Sequence, residues 1–288
     1  MNKARREINA LIRKTDLVIE LLDARIPFSS SNPMVASMRR DKPCIKLLNK
    51  ADLADPETTD LWKKHLAGEQ NTAVLVCSRK TKLSAKKLES MASRLLPHRN
   101  FSATPLRALI LGIPNVGKST LINAMAKRSL AKTGNEPAVT RIQQRVRLPD
   151  SNLVLHDTPG LLWPRIEPEV CGYRLAATGA IKQTLLEHED IALFLLDFLL
   201  KKYPDKLQAR YEPVRILTAP EEMLDALAVR RGCVRKGLCE RRRISEILLN
   251  DYRSGSIGPI SLETPEMIAE QIAATEAAQT TQSDESLV

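Results

Sequence analysis

The sequence predicts an α/β fold, a sheet of mainly parallel strands with crossover helices, followed by an all-helical unit. Three observations predict it. Short apolar runs at residues 17–22, 44–48, 73–77 and 106–111 have the length of buried strands, and segments of helical character such as 57–66 separate them. The last run leads into a glycine-bearing loop and then an apolar helix over 119–126. Beyond residue 170 the strand signal fades, and stretches 175–200 and 221–249, rich in Leu, Ala, Glu and Arg, take helical spacing.

The remaining elements follow in order. Residues 145–148 and 153–156, joined by Pro149, Asp150, Ser151 and Asn152, read as a hairpin. Residues 1–172 therefore form one α/β domain. Residues 173–262 form a helical domain whose stretch 230–243 holds seven basic residues against one acidic, Glu240, as an RNA-binding surface would. After Arg253 no Lys or Arg remains, while Glu263, Glu266, Glu270, Glu276, Asp284 and Glu285 accumulate, so residues 263–288 read as a mobile acidic tail.

Composition narrows the class. With 43% hydrophobic and 27% charged residues over 288 positions, the chain reads as globular, with room for one substantial core and a smaller one. No apolar run approaches the roughly 20 residues of a membrane span. Met1 is followed by Asn-Lys-Ala-Arg-Arg, not by an apolar export core, which predicts a cytoplasmic protein; a monomer is the separate expectation for its assembly. Cys44, Cys77, Cys171, Cys233 and Cys239 lack CxxC spacing and read as free thiols. A net charge of +10 points to a polyanionic partner, with a merely solvated basic surface as the alternative. Only 3% of residues are aromatic, which argues against a stacking platform and leaves phosphate contacts and shape as the means of holding RNA.

Gly112-Ile-Pro-Asn-Val-Gly117-Lys118-Ser119 fits G-x-x-x-x-G-K-[ST] between a strand and a helix. Glycines let the backbone curl, so that the N–H groups of Asn115, Val116, Gly117, Lys118, Ser119 and Thr120 can face phosphate oxygens at a helix N-terminus. Lys118 would reach the β- and γ-phosphates and the Ser119 hydroxyl would ligate Mg²⁺. Asp157, ending the strand at 153–156, would hold the same ion, and the Gly160 N–H can meet the γ-phosphate. Between them, residues 132–141 are polar and contain Gly and Pro, as a switch loop does. Thr140 is the choice for the threonine that completes the Mg²⁺ shell, with Thr133 as rival.

Asn49, Lys50, Ala51 and Asp52 follow the strand at 44–48. A carboxylate at Asp52 can accept hydrogen bonds from guanine N1–H and the 2-amino group, which adenine does not offer, and this predicts GTP and GDP as ligands. Asn49 would bridge toward neighbouring loops, and the Lys50 stem would cover the base. Cys77 and Ser78, at the end of the next strand, sit where a backbone N–H could contact guanine O6, with a plain turn as the alternative. Asp23 and Arg25 fit a functional pair or a brace for a loop equally well. The order is unusual: Asp52 precedes Gly112 by 60 residues, whereas regulatory GTPases carry the phosphate loop first. A circularly permuted chain can build the same pocket, and it places Asp157 just before the helical domain, where nucleotide state could be transmitted.

With the motifs in this order, the sequence resembles the YlqF family of circularly permuted GTPases. The resemblance spans the chain to about residue 265. It rests on Lys3-Ala-Arg-Arg-Glu7, Asp23-Ala-Arg-Ile-Pro27, Leu47-Leu-Asn-Lys-Ala-Asp52, the phosphate loop, Asp157-Thr-Pro-Gly-Leu-Leu-Trp-Pro164 and Thr178-Gly-Ala-Ile-Lys182. It implies a GTP-hydrolysing factor in late assembly of the large (50S) ribosomal subunit, slow alone and stimulated by the precursor particle and its rRNA. The alternatives are a GTP-binding RNA scaffold with little hydrolysis and a phosphate-loop metabolic kinase. Leu161 stands where regulatory GTPases carry a water-positioning glutamine. Asn115 matches the asparagine that holds K⁺ in potassium-activated relatives, with loop-shaping as the alternative. Lys118, Asn115 and Gly160 are the implied catalytic groups. Family members typically have further N-terminal residues ending in Pro-Gly-His, whose histidine has been proposed for catalysis, and this chain begins after that point. Either its start is truncated or another group serves. His65, His98, His156 and His188 match no such position.

Overall fold

The computed structural model describes residues 2–78, 81, 83–100, 104–126, 144–158, 160, 162–163, 166–181, 187–212 and 214–285. Helix α1 (Asn2–Lys14) leads into β1 (Leu17–Asp23), and α2 (Pro27–Ser30) and α3 (Pro33–Arg39) precede β2 (Cys44–Asn49). A 3₁₀ turn (Ala51–Leu53) and α4 (Pro56–Ala67) lead to β3 (Thr72–Val76), and α5 (Ala85–Leu95) leads to β4 (Leu106–Gly112). After α6 (Lys118–Ala126) come β5 (Gln144–Arg147) and β6 (Leu153–Asp157). The helical part contains α7 (Glu169–Thr178), α8 (His188–Lys202), α9 (Pro204–Tyr211) and α10 (Pro220–Arg230). A short hairpin of β7 (Val234–Arg235) and β8 (Leu238–Cys239) follows, then α11 (Arg241–Ser254) and α12 (Pro265–Glu285).

The main sheet runs β3-β2-β1-β4-β6-β5, parallel throughout except for the β5–β6 hairpin. All seven residues of β1 are buried, as expected of a central parallel strand covered on both faces. Local chemistry sets several helix starts. Pro56 opens α4 while the Asp55 carboxylate accepts from the Thr58 N–H at 3.0 Å, and the Ser84 hydroxyl accepts from the Lys87 N–H ahead of α5. Parallel pairing lines up one edge: Asp23 lies opposite Asn49, Leu21 opposite Gly112, and Ile110 opposite Asp157. The Asn49–Asp52 segment, the phosphate loop and Asp157 therefore sit at the carboxyl ends of strands, where open α/β sheets bind ligands.

Three expectations need correction. A domain boundary at residue 172 would cut α7, and the apolar residues of α7, α8, α10 and α11 run without a break into those of β1, β4 and α6. The stretch 221–249 is not one helical run. Lys236 and Gly237 both have positive φ (49° and 80°), forming the two-residue turn of the β7–β8 hairpin. The region from residue 263 is not simply a tail. Glu263 is wholly buried, accepting from the N–H groups of Phe28 and Ser29, the Ser29 hydroxyl at 2.6 Å and Arg174 Nη1 at 3.3 Å. Its carbonyl accepts from Trp62 Nε1 at 3.0 Å, and Ile268 of α12 is buried beside α4. Acidic composition alone reads as solvated chain, but here one carboxylate finds a buried arginine and the start of α2. Among the described residues, no helix is long and apolar enough to cross a membrane.

Removing that carboxylate leaves the buried Arg174 charge with only the neutral Gln271 Oε1 as acceptor and takes the acceptor from two N–H groups. Glu263→Ala is expected to lower unfolding free energy by about 3 kcal/mol, and Glu263→Gln, which keeps an acceptor, by about half as much, read from urea midpoints.

Candidate functional site

The phosphate loop is shaped by glycines where the chain approaches other groups too closely for a side chain. A Cβ on Gly112 would lie 2.7 Å from the Leu21 carbonyl oxygen, and one on Gly117 only 2.5 Å from Asn49 Nδ2, at a φ of +103°. Gly160 approaches from the other side, where a Cβ would lie 2.9 Å from Pro114 Cα and N. The loop's end is the start of α6, so the first helical N–H groups border the same concavity. Lys118 opens that helix with its side chain buried and Nζ 3.5 Å from the Gly112 carbonyl. Burial pushes its ammonium pKa down, and Asp157 offsets only part of this.

The base-reading segment meets this loop directly. Asn49 Nδ2 donates to the Val116 carbonyl at 2.8 Å, while the Asn49 carbonyl accepts from the Ala24 N–H at 2.8 Å. Lys50 takes a left-handed backbone, φ 59°, and its Nζ donates to Asp23 Oδ2 at 3.0 Å. Asp52 lies in the 3₁₀ turn that follows. The Ala51 N–H donates to the Cys77 carbonyl at 3.0 Å, which brings the end of β3 alongside Asp52. There the Ser78 hydroxyl donates to Thr81 Oγ1 and accepts from the Thr81 N–H, both at 3.0 Å, so its side chain serves a local turn.

Asp157, ending β6, is 1% exposed, yet among the described residues no side chain hydrogen-bonds either carboxylate oxygen. Burial raises its pKa, with Lys118 and the Thr158 N–H offsetting part of the rise. A buried carboxylate with no side-chain partner is costly unless a cation joins it, so this position, with Ser119 in the first turn of α6, fits a divalent ion beside phosphate. Asn115, at φ 56°, donates its Nδ2 to the Gly179 carbonyl at 2.8 Å. Thr140, Thr133, Leu161 and the loop at 132–141 lie outside the described residues.

Of two groups that act on these motifs, sequence reasoning left one open and missed the other. Asp23, one strand over and open between a functional pair and a loop brace, holds Lys50. The end of α7 holds Asn115 and is itself held by Arg253, whose Nε and Nη2 donate to Ala177 and Ala176 carbonyls at 2.8 Å. A strand-ending Asp-Ala-Arg was a usable signal for the first. Nothing in local pattern could have paired Gly179 with Asn115, 64 residues apart.

A family profile described as 50S ribosome-binding GTPase matches residues 107–226. A protein of Bacillus pumilus named ribosome biogenesis GTPase A is 41% identical over 278 residues, covering 92% of this chain and 96% of that protein. Mitochondrial ribosome-associated GTPase 1 of Ictalurus punctatus is 33% identical over 245 residues, covering 81% and 77% respectively. Among solved structures, GNP-bound YlqF from T. maritima superposes with a TM-score of 0.64 at 27% identity, covering 92% of this chain and 99% of that one. The GDP-bound structure of TM YlqF gives 0.67 at 26%, covering 90% and 99%.

Asp157 yields a test of sign. Its folded pKa is raised above the unfolded value, so this group's contribution to the stability of the nucleotide-free protein is fully present below the unfolded pKa and is lost as pH rises through the folded one. Asp157→Asn removes a charge that Lys118 and the Thr158 N–H compensate only in part. At pH 7 in EDTA it is expected to stabilise the nucleotide-free protein by about 1–2 kcal/mol, raising Tm by a few degrees in calorimetry. An unchanged or lower Tm would contradict the undercompensated carboxylate.

Proposed function

Since the chain belongs to the ribosome biogenesis GTPase A family, we propose that it hydrolyses GTP as an assembly factor for the large ribosomal subunit. GTP hydrolysis itself goes with the family. The observation that carries the site assignment is the meeting of the Asn49–Asp52 segment and the phosphate loop through the Asn49–Val116 hydrogen bond. In this reading Asp52 accepts from guanine N1–H and the 2-amino group, Lys50 covers the base, and the Cys77–Ser78 backbone borders O6. The N–H groups of Asn115 to Thr120 cradle the phosphates, Lys118 reaches the β- and γ-phosphates, and the Gly160 N–H meets the transferred group. Ser119, Asp157 and Thr140 would hold Mg²⁺, which when bound offsets charge on the phosphate oxygens. Asn115 Oδ1 would hold K⁺, with its Nδ2 occupied at Gly179.

The ribosomal assignment is supported by the names of the relatives, and by the chain's +10 charge with its cationic stretch at 230–243. That stretch would contact rRNA of the subunit precursor. We place the protein in the cytoplasm as a monomer on the same reading.

Turnover without the particle is expected at about 10⁻⁴–10⁻² s⁻¹, as for unassisted GTPases. Adding purified large-subunit precursors is expected to raise it at least tenfold in K⁺, and less in Na⁺. No stimulation would favour a GTP-binding scaffold, and equal rates in the two salts would remove the K⁺ assignment. Asp52→Asn should weaken GTP binding by about a hundredfold and improve binding of xanthosine triphosphate, since the amide now donates where the carboxylate accepted. Preference of the native protein for ATP in a competition assay would instead indicate a metabolic kinase.

A further inference from the structure

We propose that Asp23 is a positioning residue for base recognition, fixing the Lys50 side chain as a preformed wall of the guanine pocket. The inference deepens the reading of Asn49–Asp52 as the guanine-reading segment and rests on it.

Asp23 is 2% exposed and stands at the end of β1, between the strand carrying Asn49 and the strand carrying the phosphate loop. Its Oδ1 accepts from the Arg25 N–H at 3.1 Å and Nε at 2.9 Å, and its Oδ2 from Arg25 Nη2 at 2.7 Å and Lys50 Nζ at 3.0 Å. Arg25 is as buried as Asp23, with its guanidinium 5.2 Å from the centre of the Tyr252 ring. It is thus committed to Asp23 and cannot swing out to a ligand. Burial alone would raise the Asp23 carboxyl, but Arg25 and Lys50 outweigh it and hold it well below the ordinary carboxylate range.

Of the three charged groups, only Lys50 has a partly exposed side chain, at 23%. A lysine stem free in solvent loses much rotamer freedom when a ligand orders it. Tethering its ammonium to Asp23 removes that loss before the nucleotide arrives. The left-handed backbone at Lys50 turns the next residues into the 3₁₀ turn carrying Asp52, and Asp52 is also among the charges acting on Arg25. A purely structural need at a strand end is commonly met as well by apolar packing. A buried carboxylate whose two oxygens each accept two hydrogen bonds at the ligand edge, with one lysine stem presented outward, instead fits pre-organisation of a site.

The test is a double-mutant cycle on the full-length protein, using Asp23→Asn and Lys50→Met and reading the Kd of a ribose-labelled fluorescent GDP, with thermal melting alongside. Lys50→Met keeps an apolar stem and leaves the Asp23–Arg25 pair in place. Each single variant is expected to raise Kd about tenfold, and the double variant no more than about twofold beyond Lys50→Met. Asp23→Asn should raise KM for GTP while leaving kcat within about twofold, because Lys50 touches the base and not the reacting phosphate. The proposal is overturned if Asp23→Asn binds GDP like the native protein, or if its loss is equally large on the Lys50→Met background. Should Asp23→Asn fail to fold, native-like GDP affinity of Lys50→Met overturns it alone. A native protein with no preference for GDP over ADP would instead refute the guanine reading beneath it.

Discussion

The hydrogen bond from the Asn49 amide to the Val116 carbonyl is what makes one site out of two chain segments. β2 and β4 are not neighbours, because β1 lies between them, so their ends stand about 10 Å apart. The phosphate loop must curl back over the end of β1 for Val116 to come within reach. Gly112 permits the tight start of that curl against Leu21, and Gly117 leaves the space that Asn49 Nδ2 occupies. A side chain at either position would separate loop from strand. The requirement for glycine thus follows from sheet order as much as from phosphate chemistry.

Beneath this bridge the structure buries charge in two connected places. Asp23 and Arg25 pair at the end of β1, and Glu263 with Arg174 pairs at the start of α2. The short segment between them is hydrogen-bonded at both ends to the chain's distal part, since the Leu262 N–H donates to the Arg25 carbonyl at 2.9 Å. Such pairs contribute little net stability, because desolvation offsets the attraction. Their effect is geometric: each carboxylate, saturated by directional donors, admits few alternative packings. The loops that read the nucleotide are thereby mounted on a rigid floor, even though the strands end just below them.

What could be read in the sequence follows what is local. The runs at 17–22, 44–48, 73–77 and 106–111 became strands within two residues of their bounds, because parallel strands packed under crossover helices are mostly apolar even where one charged residue, such as Glu20 or Lys46, interrupts them. The phosphate loop and Asn49 to Asp52 were legible because each is a short string with its own chemistry. The Lys236-Gly237 turn was overlooked inside a run of helical composition, where a two-residue hairpin leaves only a faint signal. Glu263 was misread for a different reason. Its partners, Ser29 and Arg174, are 234 and 89 residues away, and nothing in an acidic neighbourhood distinguishes the one carboxylate that is buried.

The reversed motif order also changes which contacts are possible between site and helices. From the end of β6 only eleven residues lead to α7, whose far end returns to the phosphate loop through Asn115 and Gly179. Helix α7 is therefore attached to the site at both ends, once by chain connection and once by hydrogen bond. A hydrogen bond tolerates displacements of only a few tenths of an ångström before weakening steeply. Movement of the loop at Asn115 must then either break this bond or carry the end of α7 with it. Arg253, clamping the Ala176 and Ala177 carbonyls, extends the same constraint to α11, the helix that begins with Arg241, Arg242 and Arg243. The contact is not itself coupling, which requires two arrangements of different energy. It does mark a contiguous chain of contacts from the phosphate loop to the cationic helix, through Gly179, two further backbone carbonyls and one arginine, separate from the segment after Asp157.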